Sequence, residues 1–197
     1  MASISGHRSA GASAALALLL SCVPSPGPGS HGPPSPEAVP PLPLPRVFVL
    51  EAAGAMPDDT ALTMTPGVGR VVVLRRSAPD FGLFARLEFA DSTLKAASGA
   101  DAVQLTIRPR PGEFALDLEV AGSVGPGATL TVSYGSHFVA PAGARQRYGS
   151  DLLFERELSI GQLSENQVVF LPTWRPGSDM LRAALPGPGR YLVAAPR

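Results

Sequence analysis

The chain has 197 residues, 45% of them hydrophobic, and its 16 basic and 16 acidic residues give a formal net charge of zero. That balance lacks the basic excess that nucleic acid or an anionic lipid surface attracts, so neither is expected as an electrostatic partner. One cysteine, Cys22, and three histidines leave no pair for an internal disulfide and too few soft ligands for a zinc site.

Residues 1–21 have the three-part form of a cleaved secretory signal peptide. The amino terminus, His7 and Arg8 make a weakly positive start, and Ala10–Leu20 follows without a charge. That run of about 11 residues is well short of the roughly 20 that span a bilayer as a helix. It closes on Leu19-Leu20-Ser21-Cys22, which resembles the bacterial lipobox. The resemblance implies a mature protein that begins at Cys22, acylated there and held in the cell envelope as a lipoprotein. Val23 after the cysteine, rather than an aspartate, fits the outer membrane if the host is Gram-negative. Two or more acyl chains would anchor it stably, whereas one gives only reversible binding. The competing reading is a soluble secreted protein whose leader happens to contain a cysteine.

Residues 22–46 form a Pro/Gly/Ser-rich stretch in which Val23–Arg46 holds 10 of the 22 prolines. Few amide donors and few apolar side chains predict a disordered, semi-extended tether, reaching roughly 70 Å at a polyproline rise of about 3.1 Å per residue. Residues 47–197 are long enough for one domain with its own core.

That domain reads as all-β. Val47–Leu50 and Arg70–Arg75 are short apolar strands, the second bounded by the turn Pro66–Gly69. In Phe84–Phe89, the residues Phe84, Arg86 and Glu88 face one way and Ala85, Leu87 and Phe89 the other. Val103, Leu105 and Ile107 share a face, as do Phe114, Leu116, Leu118 and Val120, and then Ala128, Leu130, Val132 and Tyr134. A period of two is the mark of half-buried strands, and Pro109–Gly112 and Gly125–Gly127 supply turns between them. The alternation is expected to continue through Leu152, Phe154, Arg156, Leu158 and Ile160, then Val168–Leu171 and Tyr191–Ala195. Helix is expected only as a turn or two at Ser92–Ser98 and Asp179–Leu185. Many short strands with regular turns predict an antiparallel two-sheet sandwich.

From Ala128 onward the succession Ala128–Tyr134, a long loop, Leu158-Ser159-Ile160, Leu171-Pro172-Thr173-Trp174 and Gly189–Val193 resembles the closing half of immunoglobulin-like or ankyrin/netrin-receptor-type β-sandwich modules. The resemblance covers about 70 residues and implies an immunoglobulin-like fold, without a function.

Candidate chemistry is sparse. Serine catalysis needs a base, and beyond the leader only His31 and His137 offer one; Ser133, Ser136 and Ser150 are the serines near His137 in sequence. Asp58-Asp59, Asp117 with Glu119, and Glu155 with Glu157 are paired carboxylates without the spacing of a calcium loop. No metal and no cofactor is expected. Asp80-Phe81-Gly82 copies a kinase tripeptide without the rest of that machinery. The loop Gly135–Asp151 combines His137, Phe138, Arg145, Arg147 and Tyr148, residue types suited to recognition on a rigid scaffold. Trp174 beside Arg175 is a second binding candidate. The composite expectation is a non-enzymatic, lipid-anchored envelope protein that displays its domain for protein binding or envelope assembly. The alternative is an exported or anchored hydrolase using a carboxylate site.

Overall fold

Inward apolar and outward polar side chains alternate along most of the domain, and the resulting protein is all-β with every strand pairing antiparallel. The structure, a computed structural model, describes residues 40–197. The leader, Cys22, His31 and the first part of the tether lie outside the described residues.

The first strands are β1 (Leu42–Pro43), β2 (Val47–Val49), β3 (Glu51–Ala52), β4 (Thr60–Met64), β5 (Arg70–Arg75), β6 (Leu83–Phe89) and β7 (Leu94–Ala96). Next come β8 (Val103–Pro109), β9 (Ala115–Val124), β10 (Ala128–Ser133) and β11 (Phe138–Val139), then two short helices, α1 (Ala144–Tyr148) and α2 (Asp151–Glu157). The chain finishes with β12 (Ser159–Ser164), β13 (Gln167–Phe170), β14 (Thr173–Gly177), β15 (Met180–Ala184) and β16 (Gly189–Pro196).

The larger sheet runs β1-β13-β12-β16-β9-β8-β4, with β2 taking over beside β16 where β9 leaves it. The smaller runs β14-β15-β10-β6-β5. Their inward residues join one core: Leu105, Ile107, Leu116, Leu118 and Val193 from the first, and Leu74, Leu87, Leu130, Val132 and Leu181 from the second. A smaller cluster of Val47, Ala115, Val168, Leu192 and Ala194 lies on the other face of the large sheet, where Leu42 and Leu44 pack against it. Leu42–Arg46, read from sequence as the end of the tether, is therefore folded: β1 pairs with β13 and a 3-10 turn carries Leu44–Arg46 into β2.

Local chemistry accounts for the connections. Glu165 and Asn166 both have positive φ (48° and 66°), the geometry of a two-residue hairpin between β12 and β13. At Gly122 (φ 146°) an added Cβ would lie 2.2 Å from the Lys95 carbonyl oxygen, so the absence of a side chain is what lets β7 cross this close to β9.

Four local expectations are corrected. Leu152–Glu157 is helix, not strand: Ser150 caps α2 by accepting a hydrogen bond from the Leu153 amide, and Asp151 sits in the first turn. Ser92–Ser98 and Asp179–Leu185 hold the strands β7 and β15 rather than helical turns. In β15 the buried Leu181 and Ala183 alternate with the outward Arg182. Phe84 is buried beside Ala85, because the register slips by one residue on β6 opposite Leu74 and Arg75.

Phe154 fastens α2. It is fully buried and its ring meets Phe48 and Phe138, each at 6.1 Å, and Tyr148 at 5.6 Å. Phe154→Ala is expected to lower unfolding stability by about 3–5 kcal/mol in urea titrations. Ser150→Ala, which removes only the cap, should cost about 1 kcal/mol.

Candidate binding face

Strand register places a single row of side chains across the outer face of the five-stranded sheet. Val73 pairs with Arg86, Arg86 with Thr131, Thr131 with Arg182, and Arg182 with Trp174. At about 4.8 Å between strands this row is about 19 Å long. Val71, Glu88 and Thr129 lie in the next row.

Electrostatics fix the polar members. Glu88 forms an ion pair with Arg86 at 3.1 Å and accepts a hydrogen bond from Arg182, also at 3.1 Å, while Arg182 donates to the Thr129 hydroxyl at 3.0 Å. The Arg182 guanidinium carbon sits 5.7 Å from the centre of the Trp174 ring, within cation–π range. Trp174 nevertheless stays 47% exposed, and Val71 and Val73 stay 51% and 45% exposed. An open groove of about 390 Å³, lined by Arg70, Val71, Glu88, Thr129 and Arg182, runs along the same face.

A polar cluster closes one end of the domain. Arg76, only 2% exposed, donates from Nη1 to the carbonyls of Ala53 (2.9 Å) and Ala55 (3.1 Å) and lies 3.7 Å from Asp80. Its guanidinium also faces the rings of Phe84 and Phe114 at 5.5 and 5.3 Å. Burial pulls its pKa below the ordinary arginine value, with Asp80 opposing. The Asp80 carboxylate meets His137 Nε2 at 2.6 Å. The opposite edge of that imidazole lies against Gly54, where an added Cβ would come within 3.2 Å of Nδ1. The cavity bounded by Arg76, Asp80, Ser133 and His137 holds about 70 Å³, the space of a few waters.

Beside it, Arg175 donates to the Tyr134 phenol at 2.6 Å and to the carbonyls of Glu155, Arg156 and Leu158 at the end of α2. A cation there satisfies carbonyls that the helix leaves open. Tyr134 in turn donates to Glu155 at 3.0 Å. Burial, reinforced by Glu155 and opposed by Arg175, pushes the Tyr134 phenol up to about 12, and burial does the same for Tyr191.

The residues singled out from sequence scatter over these surfaces. His137 joins the polar cluster. Arg145 is exposed and pairs with Asp151, Arg147 lies over the Tyr148 ring, and Tyr148 packs on Phe48 and Phe154 while donating to the Pro196 carbonyl. Trp174 stands on the sheet face. Ser133 donates to Asp179 and Ser150 caps α2, so neither hydroxyl is bonded to His137. Asp117 pairs with Arg190 and Arg110, Glu119 with Arg108, and Glu155 with Tyr134. Among the described residues no three of His, Cys, Asp and Glu gather as metal ligands would. Sequence reading did not find Arg76, Glu88 or Arg182, whose partners lie on other strands.

Arg76→Ala is expected to reduce stability by about 3–6 kcal/mol, since two charge-assisted hydrogen bonds of about 1.5–3 kcal/mol each are lost. His137→Ala, breaking a partly exposed pair, should cost no more than about 1 kcal/mol; equal losses in urea titrations would contradict this division. A second expectation concerns alkaline pH. Unfolded tyrosines ionise near 10, so between about pH 10 and 12 the unfolded chain has released protons that folded Tyr134 and Tyr191 retain, and stability falls as pH rises. Urea midpoints measured from pH 9 to 11.5 should show this decline, and Tyr191→Phe should make it shallower.

No protein-family model, no curated protein and no solved structure matches this chain.

Proposed function

We propose that this chain is a non-enzymatic, lipid-anchored envelope protein. In this reading Cys22 is acylated after removal of the leader, the proline-rich segment is the tether, and the all-β domain is an immunoglobulin-like sandwich. The domain binds a protein partner through the outer face of its five-stranded sheet.

The observation that carries the binding reading is the row from Val73 to Trp174. Exposed aromatic and arginine side chains are the residues that dominate protein interfaces, most of all where their geometry is fixed before the partner arrives. Here Glu88 and Thr129 hold Arg182 in place beneath Trp174. The hydrolase reading needs two carboxylates converging on a cleft, whereas Asp59, Asp117 and Glu119 are engaged by arginines and Glu155 by Tyr134. Among the described residues no helix is long and apolar enough to cross a membrane. The anchor proposed is the acyl group, and it rests on the lipobox resemblance alone.

Two measurements test the two halves. Cys22→Ala should move the protein from the membrane fraction to the soluble fraction and remove a lipid adduct detectable by mass spectrometry on the mature amino terminus. Unchanged fractionation with no adduct in the parent defeats the anchor. Trp174→Ala should leave stability within about 0.5 kcal/mol, as for a surface side chain. It should weaken capture of the partner from detergent-solubilised envelope at least tenfold, the loss of about 1.4 kcal/mol or more. Undiminished capture defeats the sheet-face reading.

A further inference from the structure

The five-stranded sheet ends on two edges of different character. β14 is blunted by Pro176 and by a register break between Trp174 and Gly177. β5 is not. Its sequence, Arg70-Val71-Val72-Val73-Leu74-Arg75, contains neither proline nor glycine and runs six residues. β6 is the only strand it pairs with among the described residues, and no other backbone bond there reaches Arg70–Arg75. Such an edge is a template for another strand unless it is guarded.

Backbone orientation can be read from the hairpin. The Arg76 amide donates to the Gly82 carbonyl, toward β6. The register slip falls on the β6 side, so alternation along β5 is unbroken. Counting back by twos turns Leu74 and Val72 toward β6, and it turns the amides of Val71 and Val73 outward. The same two residues expose branched side chains on the sheet face.

Charge decides what fits. Arg70 and Arg75 flank the strand, and among the described residues neither has a carboxylate within ion-pair distance. The acids nearby are committed: Glu88 to Arg86 and Arg182, and Asp91 to the Gly69 amide at 2.8 Å. Arg75 donates to the Phe81 carbonyl at 3.4 Å, a neutral acceptor that leaves its charge unbalanced, so the strand carries two cations without a carboxylate about one strand length apart. We infer that β5 is an acceptor edge for an extended segment of a partner protein, with β-branched residues along its middle and carboxylates at its ends, which adds to the sheet as a sixth strand. The inference rests on the protein-binding reading above and names the partner's chemistry.

The test uses the full chain carrying Cys22→Ala and two synthetic heptapeptides. One is Asp-Val-Thr-Val-Thr-Val-Glu and the other is the same core with lysine at both ends. In NMR titrations at low salt the acidic peptide should bind at least tenfold tighter than the basic one, slow hydrogen exchange at the Val71 and Val73 amides, and weaken as salt is raised. Val73→Pro, which removes an outward donor, should abolish binding. The pair Arg70→Glu and Arg75→Glu, which leaves the core untouched, should reverse the preference. Equal binding of the two peptides, or no protection at Val71 and Val73, overturns the inference. So does self-association through β5 that the acidic peptide fails to displace, which would give the edge to a second copy. If Trp174→Ala abolishes capture of the natural partner while the double arginine reversal preserves it, the sheet-face reading stands and the edge inference falls. If the peptides behave as expected and Trp174→Ala changes nothing, the edge inference stands and the sheet-face reading falls.

Discussion

A single buried cation organises one end of this protein. Arg76 follows directly after β5, and its guanidinium reaches the carbonyls of Ala53 and Ala55 in the segment between β3 and β4. Ser77 extends the same seam by donating to the Met56 carbonyl at 2.8 Å. Backbone carbonyls taken from water need donors, and here a strand of one sheet supplies them to a loop that leads into the edge of the other. The stacked rings of Phe84 and Phe114, 5.8 Å apart, lie against the same guanidinium. Asp80 in turn meets His137, which positions the segment before β11. Arg76, with Asp80, thus ties three irregular segments together in a domain that has no cysteine for a disulfide.

Arg175 repeats this device on a smaller scale. It projects from the middle of β14, bonds to Tyr134 and closes the last turn of α2. In both places an arginine on or directly after an edge strand serves carbonyls that no strand partner satisfies. The two sheets, by contrast, need no such help, because their inward faces supply a continuous apolar core. The polar clusters lie at the ends of the strands, while the face carrying Trp174 is built on paired strands. Rigid presentation of Trp174 and Arg182 follows from that placement.

Sequence reading recovered the parts governed by local rules. Leu105 and Ile107 in β8, and Leu130 and Val132 in β10, alternate with polar residues because each strand has one wet face. It failed at α2, where Leu152, Phe154, Leu158 and Ile160 also recur at even spacing. The true signal was Ser150 followed by Asp151, a capping pattern, and the other stop is Arg175, remote in sequence and invisible to any window. Leu152, 58% exposed, shows that an apolar residue in the pattern need not be inward. For the binding face, Trp174 stood out by type alone. Its support from Arg182 and Glu88, residues 94 positions apart, depends on register between β6, β10 and β15. Asp80, already beside Arg76 four positions earlier, likewise meets His137 only when the fold spans 57 positions.

The pairing of β2 with β16 has a consequence for how this chain is made. Val47, Phe48 and Val49 find their partners at Pro196, Ala195 and Ala194, and the Arg197 amide closes onto the Arg46 carbonyl. β16 also occupies the middle of the large sheet, between β12 and β9. Until synthesis reaches that segment, the sheet lacks its central member and β2 has no strand to pair with. Contacts this distant along the chain close slowly, so the large sheet is completed only once β16 is available, whereas β4, β8 and β9 pair with one another without it.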